Sequence, residues 1–395
     1  MAAAAEARIG SIFIYPVKSC RGISVSQAPI VPTGFLWDRH WMVINSKGRA
    51  CTQRVEPRLA LVEVELPSEA FSVGWKPTES SYLVIRAPGM DELKVSLSKP
   101  CEKSDGVTVW EWTGSVLDEG AEASKWFSDF IGKPSRLVRF NEEYNSRPLP
   151  VYAPTPGYNL VFTDQYQFLM LSQGSLDALN NQLEEPLPVN RFRPSIFIDG
   201  CEPFAEDLWK EIKINNITFI SIQLCPRCKV PLVNQENGIP GSEPNETLMK
   251  FRSDKILQLS IRQQGKVYFG QGLVCSKDSL NGVGGMILKV GDTIHVEKPT
   301  DTAKEIANDE EDSSHQQPGQ QKDNLKDEVI AKTNSQPTYA SSRGRRPRRR
   351  HSLLSSSSQY LGFSPKDGDF TETALILLGE KIGVRRKLLS CVRRS

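Results

Sequence analysis

A chain of 395 residues, 38% hydrophobic and 24% charged, has the size and composition for two or three soluble globular domains with sizeable cores. A formal net charge of +2 points neither to a nucleic-acid binder nor to a binder of strongly acidic ligands. Eight cysteines in so long a chain do not make a disulfide scaffold, and four histidines leave little room for a His-based triad or a multi-histidine metal site. The run before Ile9 is too short for a signal peptide, and no window approaches the roughly 20 apolar residues that span a bilayer. The expectation is a soluble, intracellular protein with no membrane span.

From Ile9 to about Val109 short strands are predicted in succession: Ile12 to Tyr15, His40 to Ile44, Leu59 to Leu66 and Tyr82 to Ile85, all rich in β-branched and aromatic residues. Turn signals such as Pro32-Thr33-Gly34 and Ala87-Pro88-Gly89 separate them. The period then changes. Ala123, Trp126, Phe127, Phe130 and Ile131 recur at helical spacing, and Gly132 with Pro134 ends the run. A second helix follows Ser172, with Leu176, Leu179 and Leu183 on one face. Ile217 to Leu224 reads as a buried strand that delivers the chain to Cys225-Pro226-Arg227-Cys228. Further strands are predicted at Leu257 to Ile261, Val267 to Val274, Met286 to Val290 and Thr293 to Val296. After Lys298 the chain turns polar, with a Ser355-to-Ser358 run and a basic Arg343-to-Arg350 block, too few apolar residues to offset the entropy of ordering. Three parts are expected: a β-rich 1–120, a mixed 121–298 and a disordered tail, 299–395.

Cys225-Pro-Arg-Cys228 is the strongest chemical signal, and four readings of it stand. A structural zinc site needs a second ligand pair, which the sequence lacks. A thiol–disulfide pair normally opens a helix, whereas Lys229-Val230-Pro231 follows here. The two sulfurs can also be buried packing residues at a strand end. Alternatively, one thiolate binds a soft or redox metal, with Arg227 favouring its ionised form. Basic residues also recur at strand–loop junctions: Lys18, Arg39, Arg54 and Arg193. Each alone reads as a solvated charge; together they suit a phosphate and a polar ring system.

The segments Tyr15-Pro16-Val17-Lys18-Ser19-Cys20, Asp38-Arg39-His40-Trp41, Thr52-Gln53-Arg54, Asn190-Arg191-Phe192-Arg193-Pro194 and Cys225-Pro226-Arg227-Cys228, in this order, resemble the MOSC family. The likeness covers about residues 8 to 297. It is greatest to amidoxime-reducing component proteins of the plant type, which carry Lys-Val-Pro after the second cysteine. The resemblance implies a β-rich α+β fold in which an N-terminal MOSC β-barrel-like domain packs on a C-terminal MOSC domain. It further implies a molybdenum–molybdopterin cofactor with Cys228 as the metal ligand. Lys18, Ser19, Arg39, Arg193, Ser195, Pro226 and Arg227 match cofactor contacts, with Arg54 a further candidate. Asp164 matches an acidic residue near the metal, and its alternative role is to cap the following turn. Two positions depart from the animal relatives: Ser195 replaces an Asn and Gly272 a Tyr.

The implied activity is reduction of N-hydroxylated compounds such as amidoximes, N-hydroxylated bases and nitrite-like oxyanions. The implied electron donors are cytochrome b5 and its NADH-dependent reductase, and the lack of a GxGxxG fingerprint fits an external donor. The alternatives are a non-catalytic molybdenum-cofactor carrier, like the end of a cofactor sulfurase without its pyridoxal-phosphate domain, and a dithiol redox protein. The hydrophobic leader of the animal proteins has no counterpart before Ile9. Nucleic acid is not an expected partner, since the basic block reads as a solvated segment.

Overall fold

The computed structural model describes residues 6–98, 102–143, 146–149, 157–259, 265–281 and 285–302. All of them fall within one unit, Met1–Gln321. The expected tail therefore lies, from residue 303 on, outside the described residues.

The chain begins with β1 (Arg8–Ile14), β2 (Ile23–Val25), β3 (Gln27–Val31), β4 (Gly34–Phe35) and β5 (Trp41–Asn45). Next come β6 (Glu63–Glu65), β7 (Tyr82–Arg86), β8 (Leu93–Ser96), β9 (Glu102–Val109), β10 (Trp112–Asp118), α1 (Ala121–Ile131) and β11 (Ser135–Phe140). The remainder comprises β12 (Phe168–Ser172), α2 (Gln173–Asn180), β13 (Ile196–Asp199), β14 (Trp209–Ile214), β15 (Ile217–Pro226), α3 (Asn245–Phe251) and α4 (Asp254–Leu257). It ends with β16 (Tyr268–Cys275), α5 (Lys277–Leu280), β17 (Ile287–Lys289) and β18 (Ile294–Pro299). The fold is β-rich α+β.

Eight strands form the main sheet in the order β18-β14-β15-β16-β12-β13-β1-β2. Its central strands are apolar almost throughout because both faces are covered: in β16 every residue after Tyr268 is buried. The sheet curls back on itself. Ile9 N donates to Asp292 O and Ile294 N to Ala7 O, so the start of β18 meets the start of β1 and seven strands form a ring. A four-stranded sheet, β5-β11-β10-β9, stands beside it. Phe35, Phe168 and Phe219 stack edge to face, with centroids 4.8 and 5.4 Å apart, and tie β4 to the core of the ring.

The two helices expected from periodicity are present. On α1, Ala123, Trp126, Phe127, Phe130 and Ile131 are buried, and Gly132 ends the helix with φ 77°, a left-handed conformation that glycine adopts without a Cβ clash. Ser172 caps α2 by accepting from Ser175 N, while Leu183 falls beyond the helix and packs on the same cluster.

Two expected strands differ. Leu59 to Leu66 is a 3-10 turn, Pro57–Leu61, followed only by the short β6, because Pro57 presets a helical φ at the start of the run. Leu257 closes α4 instead of opening a strand, with Gln258 left-handed after it, and residues 260–264 lie outside the described residues. At the end of the described chain, Pro299 is still paired in β18, and Thr300 N donates to Leu208 O. Among the described residues no helix is long and apolar enough to cross a membrane.

Candidate functional site

Lys18 and Ser19 follow β1, Arg39 precedes β5, and Arg54 follows it. Asp164 leads into β12, Arg193 and Ser195 into β13, and Pro226, Arg227 and Cys228 run out of the end of β15. All ten line one cavity of about 460 Å³. Non-glycine residues held at positive φ gather here: Ser19 (70°), Arg39 (54°), Trp110 (54°) and Arg193 (57°) are four of the eight among the described residues. Each such backbone costs about 1–2 kcal/mol, so their concentration marks a geometry that the surrounding packing enforces.

The floor is electrostatic. Lys18 Nζ, almost fully buried, donates to Phe162 O at 2.7 Å and to Asp164 Oδ1. Arg54 Nη2 donates to Asp164 Oδ2 at 2.9 Å, and Trp110 Nε1 to Oδ1 at 3.1 Å. Burial works against ionisation of Asp164, but Lys18 and Arg54 outweigh it and hold the carboxyl well below the usual carboxylate range. Burial pushes Lys18 down to about 8, against the opposing pull of Asp164. Asp164 is thus a fixed anion and caps no helix; a loop and β12 follow it.

A second group surrounds Tyr15. The guanidinium carbons of Arg39 and Arg193 lie 4.2 and 4.3 Å from its ring centroid. Arg39 is paired with Asp38 and reaches Ser195 Oγ at 3.5 Å. Arg193 is 9% exposed and makes no ion pair with a described carboxylate, and burial pushes it down to about 10. The cavity as a whole is lined by seven bases (Lys18, Arg39, Arg54, Arg147, Arg193, Arg227, Lys266) against two acids, Asp164 and Glu111. That surplus, with an unpaired buried guanidinium, suits an anionic ligand.

The two cysteines are inequivalent. Cys225 Sγ is buried and accepts from Tyr166 Oη at 2.6 Å and Arg227 Nη1 at 3.0 Å. Cys228 is partly exposed and lines the cavity; its sulfur accepts from Val230 N at 3.5 Å and faces Arg54. Both thiols are free. Arg227 anchors the strand end through Nη2 to Phe192 O at 2.8 Å, while its buried Nε has no partner. Among the described residues no three or more His, Cys, Asp or Glu side chains are placed to hold a metal ion between them.

Of the lining residues that lie outside the sequence motifs, three bear most on the site. Arg147 donates to Val161 O at 2.7 Å and to Thr163 O and so shapes the loop that carries Asp164. Trp110 sits at the β9–β10 turn. Tyr166 lies two residues past Asp164, its ring packed on Gly272, where an added Cβ would come within 2.4 Å of it. Tyr166 thus occupies the space that the departure at Gly272 opens.

Residues 6–134 match the MOSC N-terminal beta barrel domain, and residues 157–295 match the MOSC domain. A mitochondrial amidoxime reducing component 2 from Bos taurus is 32% identical over 296 residues, covering 73% of this chain and 82% of the relative. A mitochondrial amidoxime-reducing component 1 from Homo sapiens is 30% identical over 296 residues, with the same coverage. A molybdenum cofactor sulfurase from Oryza sativa subsp. japonica is 30% identical over 315 residues, which cover 74% of this chain but 36% of that protein. The two family matches take in every lining residue except Arg147, and the chain belongs to the MOSC family, alongside the amidoxime-reducing components.

Proposed function

We propose that this protein is a molybdenum-cofactor-dependent reductase of N-hydroxylated compounds. The observation that carries the reading is the surplus of positive charge lining the cavity, which includes the buried Arg193 without an ion-pair partner, together with the partly exposed Cys228 on the same lining. Relatives named for amidoxime reduction support the substrate class.

The residues fit the group. Arg193, Arg39, Lys18, Ser19 and Ser195 would hold its phosphate and pterin, as a guanidinium fork suits a phosphate better than a point charge does. Pro226 and Arg227 would flank it, and the Cys228 thiolate would be the protein ligand to the metal. Bound molybdenum supplies the two-electron removal of oxygen from an N–OH group, leaving an N–H and water.

The chain's own contribution is position and charge. Asp164, fixed by Lys18, Arg54 and Trp110, accepts a hydrogen bond from the substrate's N–H and orients it. Lys18, hydrogen-bonded to that carboxylate and lowered to about 8, is an acid matched to proton donation near neutral pH. Cys225, engaged by Tyr166 and Arg227, stays out of metal binding. Electrons come from cytochrome b5 and its NADH-dependent reductase, outside the chain.

The test is molybdenum and pterin content of protein made in a host able to supply the cofactor, beside Cys228→Ala and Cys225→Ser. We expect near-stoichiometric metal in the wild type, loss of metal and N-reductive activity in Cys228→Ala, and a much milder effect of Cys225→Ser. Wild-type protein without metal refutes the reading, and equal loss in both variants points to a dithiol mechanism. Bound cofactor with no turnover from a supplied donor makes the protein a carrier.

A further inference from the structure

The β9–β10 turn carries a tryptophan that neither the core nor any motif accounts for. Trp110 is 53% exposed, and it is the one exposed large hydrophobic among the described residues that lines the cavity. A lone exposed apolar side chain needs no explanation, but this one is held in place. Its backbone is left-handed, its indole Nε1 donates to Asp164 Oδ1 at 3.1 Å, and the Arg54 guanidinium carbon lies 4.8 Å from its ring centroid. The ring is therefore oriented by the carboxylate at the centre of the site and by the arginine that faces Cys228, while half its surface stays open.

We propose that Trp110 is a stacking platform for the conjugated planar group that carries the substrate's N–OH, and so determines specificity for aromatic or amidine-type substrates over small ones. This rests on the reductase reading above. Three features make it work. An indole presents a large apolar surface and a polarised face to a planar sp2 system. Two contacts fix it beforehand, so little ordering is needed on binding. It also shares Asp164 with the substrate, which sets the ring and the reacting nitrogen in a common frame.

The experiment is steady-state reduction of benzamidoxime and of hydroxylamine by the holoprotein, with reduced methyl viologen as donor, for wild type, Trp110→Ala and Trp110→Phe. Stacking on an aromatic ring predicts that Trp110→Ala raises KM for benzamidoxime about tenfold more than it raises KM for hydroxylamine, which has no ring. Any change caused by the lost bond to Asp164 falls on both substrates alike and is read from hydroxylamine. Trp110→Phe, which keeps a ring and loses the bond to Asp164, retains most of the benzamidoxime affinity. Equal changes for both substrates, no change for either, or a loss in Trp110→Phe as large as in Trp110→Ala each overturn the platform while leaving the reductase standing. A wild-type holoprotein that reduces neither compound overturns the reductase reading itself. In that case benzamidoxime quenching of tryptophan emission, compared between wild type and Trp110→Phe, decides the platform: equal quenching removes it.

Discussion

Lys18 is buried beneath Phe162 O and Asp164, and its environment disfavours the charge that it carries. Its pKa falls from 10.5 to about 8 because the nearby carboxylate restores only part of what burial removes. The folded group therefore loses its proton at a lower pH than the unfolded one. Between about pH 8 and 10.5 the unfolded chain binds a proton that the folded chain does not, so stability contributed at this residue rises with pH through that window. Lys18→Met should remove this slope. We expect the wild-type minus variant difference in urea unfolding to shift toward the wild type by about 1–3 kcal/mol between pH 7.5 and 10.5. A flat difference would mean that Lys18 titrates as a solvated lysine. Residues of this kind are legible in the sequence, since a charged or reactive type at a strand–loop junction stands out: Lys18, Arg39, Arg193 and Cys228 do so, and they line the same cavity. Trp110, Tyr166 and Arg147 do not. An aromatic at a turn or an arginine in a loop carries no local mark, and only the pairing of distant strands brings these three to the site.

At the level of elements, the approach of the loop before β12 to β16 depends on one glycine. The Tyr166 ring fills the space above Gly272, at distances of 2.4 to 2.8 Å from where a Cβ would stand, and a ring cannot give way as a flexible chain end does. Gly272→Ala should cost about 1–3 kcal/mol by overpacking. Tyr166→Ala removes the obstacle, so the double variant should recover most of that loss, a non-additive result read from urea midpoints of the four proteins. Strict additivity would show that the two positions do not meet. The consequence for function runs through Cys225, whose sulfur accepts from the same Tyr166 hydroxyl. The sequence flags Gly272 as a departure but cannot say what fills its space, because residues 166 and 272 are linked only through the pairing of β12 with β16. The two misread strands have a local cause. Leu59 to Leu66 has strand-forming residues, yet Pro57 starts a 3-10 turn, and Leu257 is drawn into the short α4 that begins at Asp254.

For the whole molecule, the decisive feature is a ring that closes through both ends of the described chain. β18 pairs with β14 on one side, and its first residues meet β1 on the other through Ile9 N to Asp292 O and Ile294 N to Ala7 O. Ile294 is buried in the same core as Ile12, Ile196 and Ile212, so the closing strand also contributes apolar packing. Periodicity indicates the strands but not the closure, since a ring is a property of strand order and not of any one segment. Two truncations separate the closing strand from the residues beyond it. Ending the chain after Thr302 keeps β18 whole, together with the bond from Thr300 N to Leu208 O, and should leave the melting temperature and molybdenum content unchanged. Ending it after Asp292 removes β18, strips β14 of its outer partner and leaves an open strand edge prone to pairing with other chains. Lost ladder hydrogen bonds and the exposure of one buried isoleucine amount to several kcal/mol, which corresponds to a fall of about 10 °C or more. Because β1 leads directly to Lys18 and Ser19, opening the ring also loosens the cavity, and cofactor content should fall with stability. Scanning calorimetry and metal analysis of the two truncations test this. Equal behaviour of the two would show that β18 is dispensable, and that the cavity is held by β1, β13 and β12 without the ring.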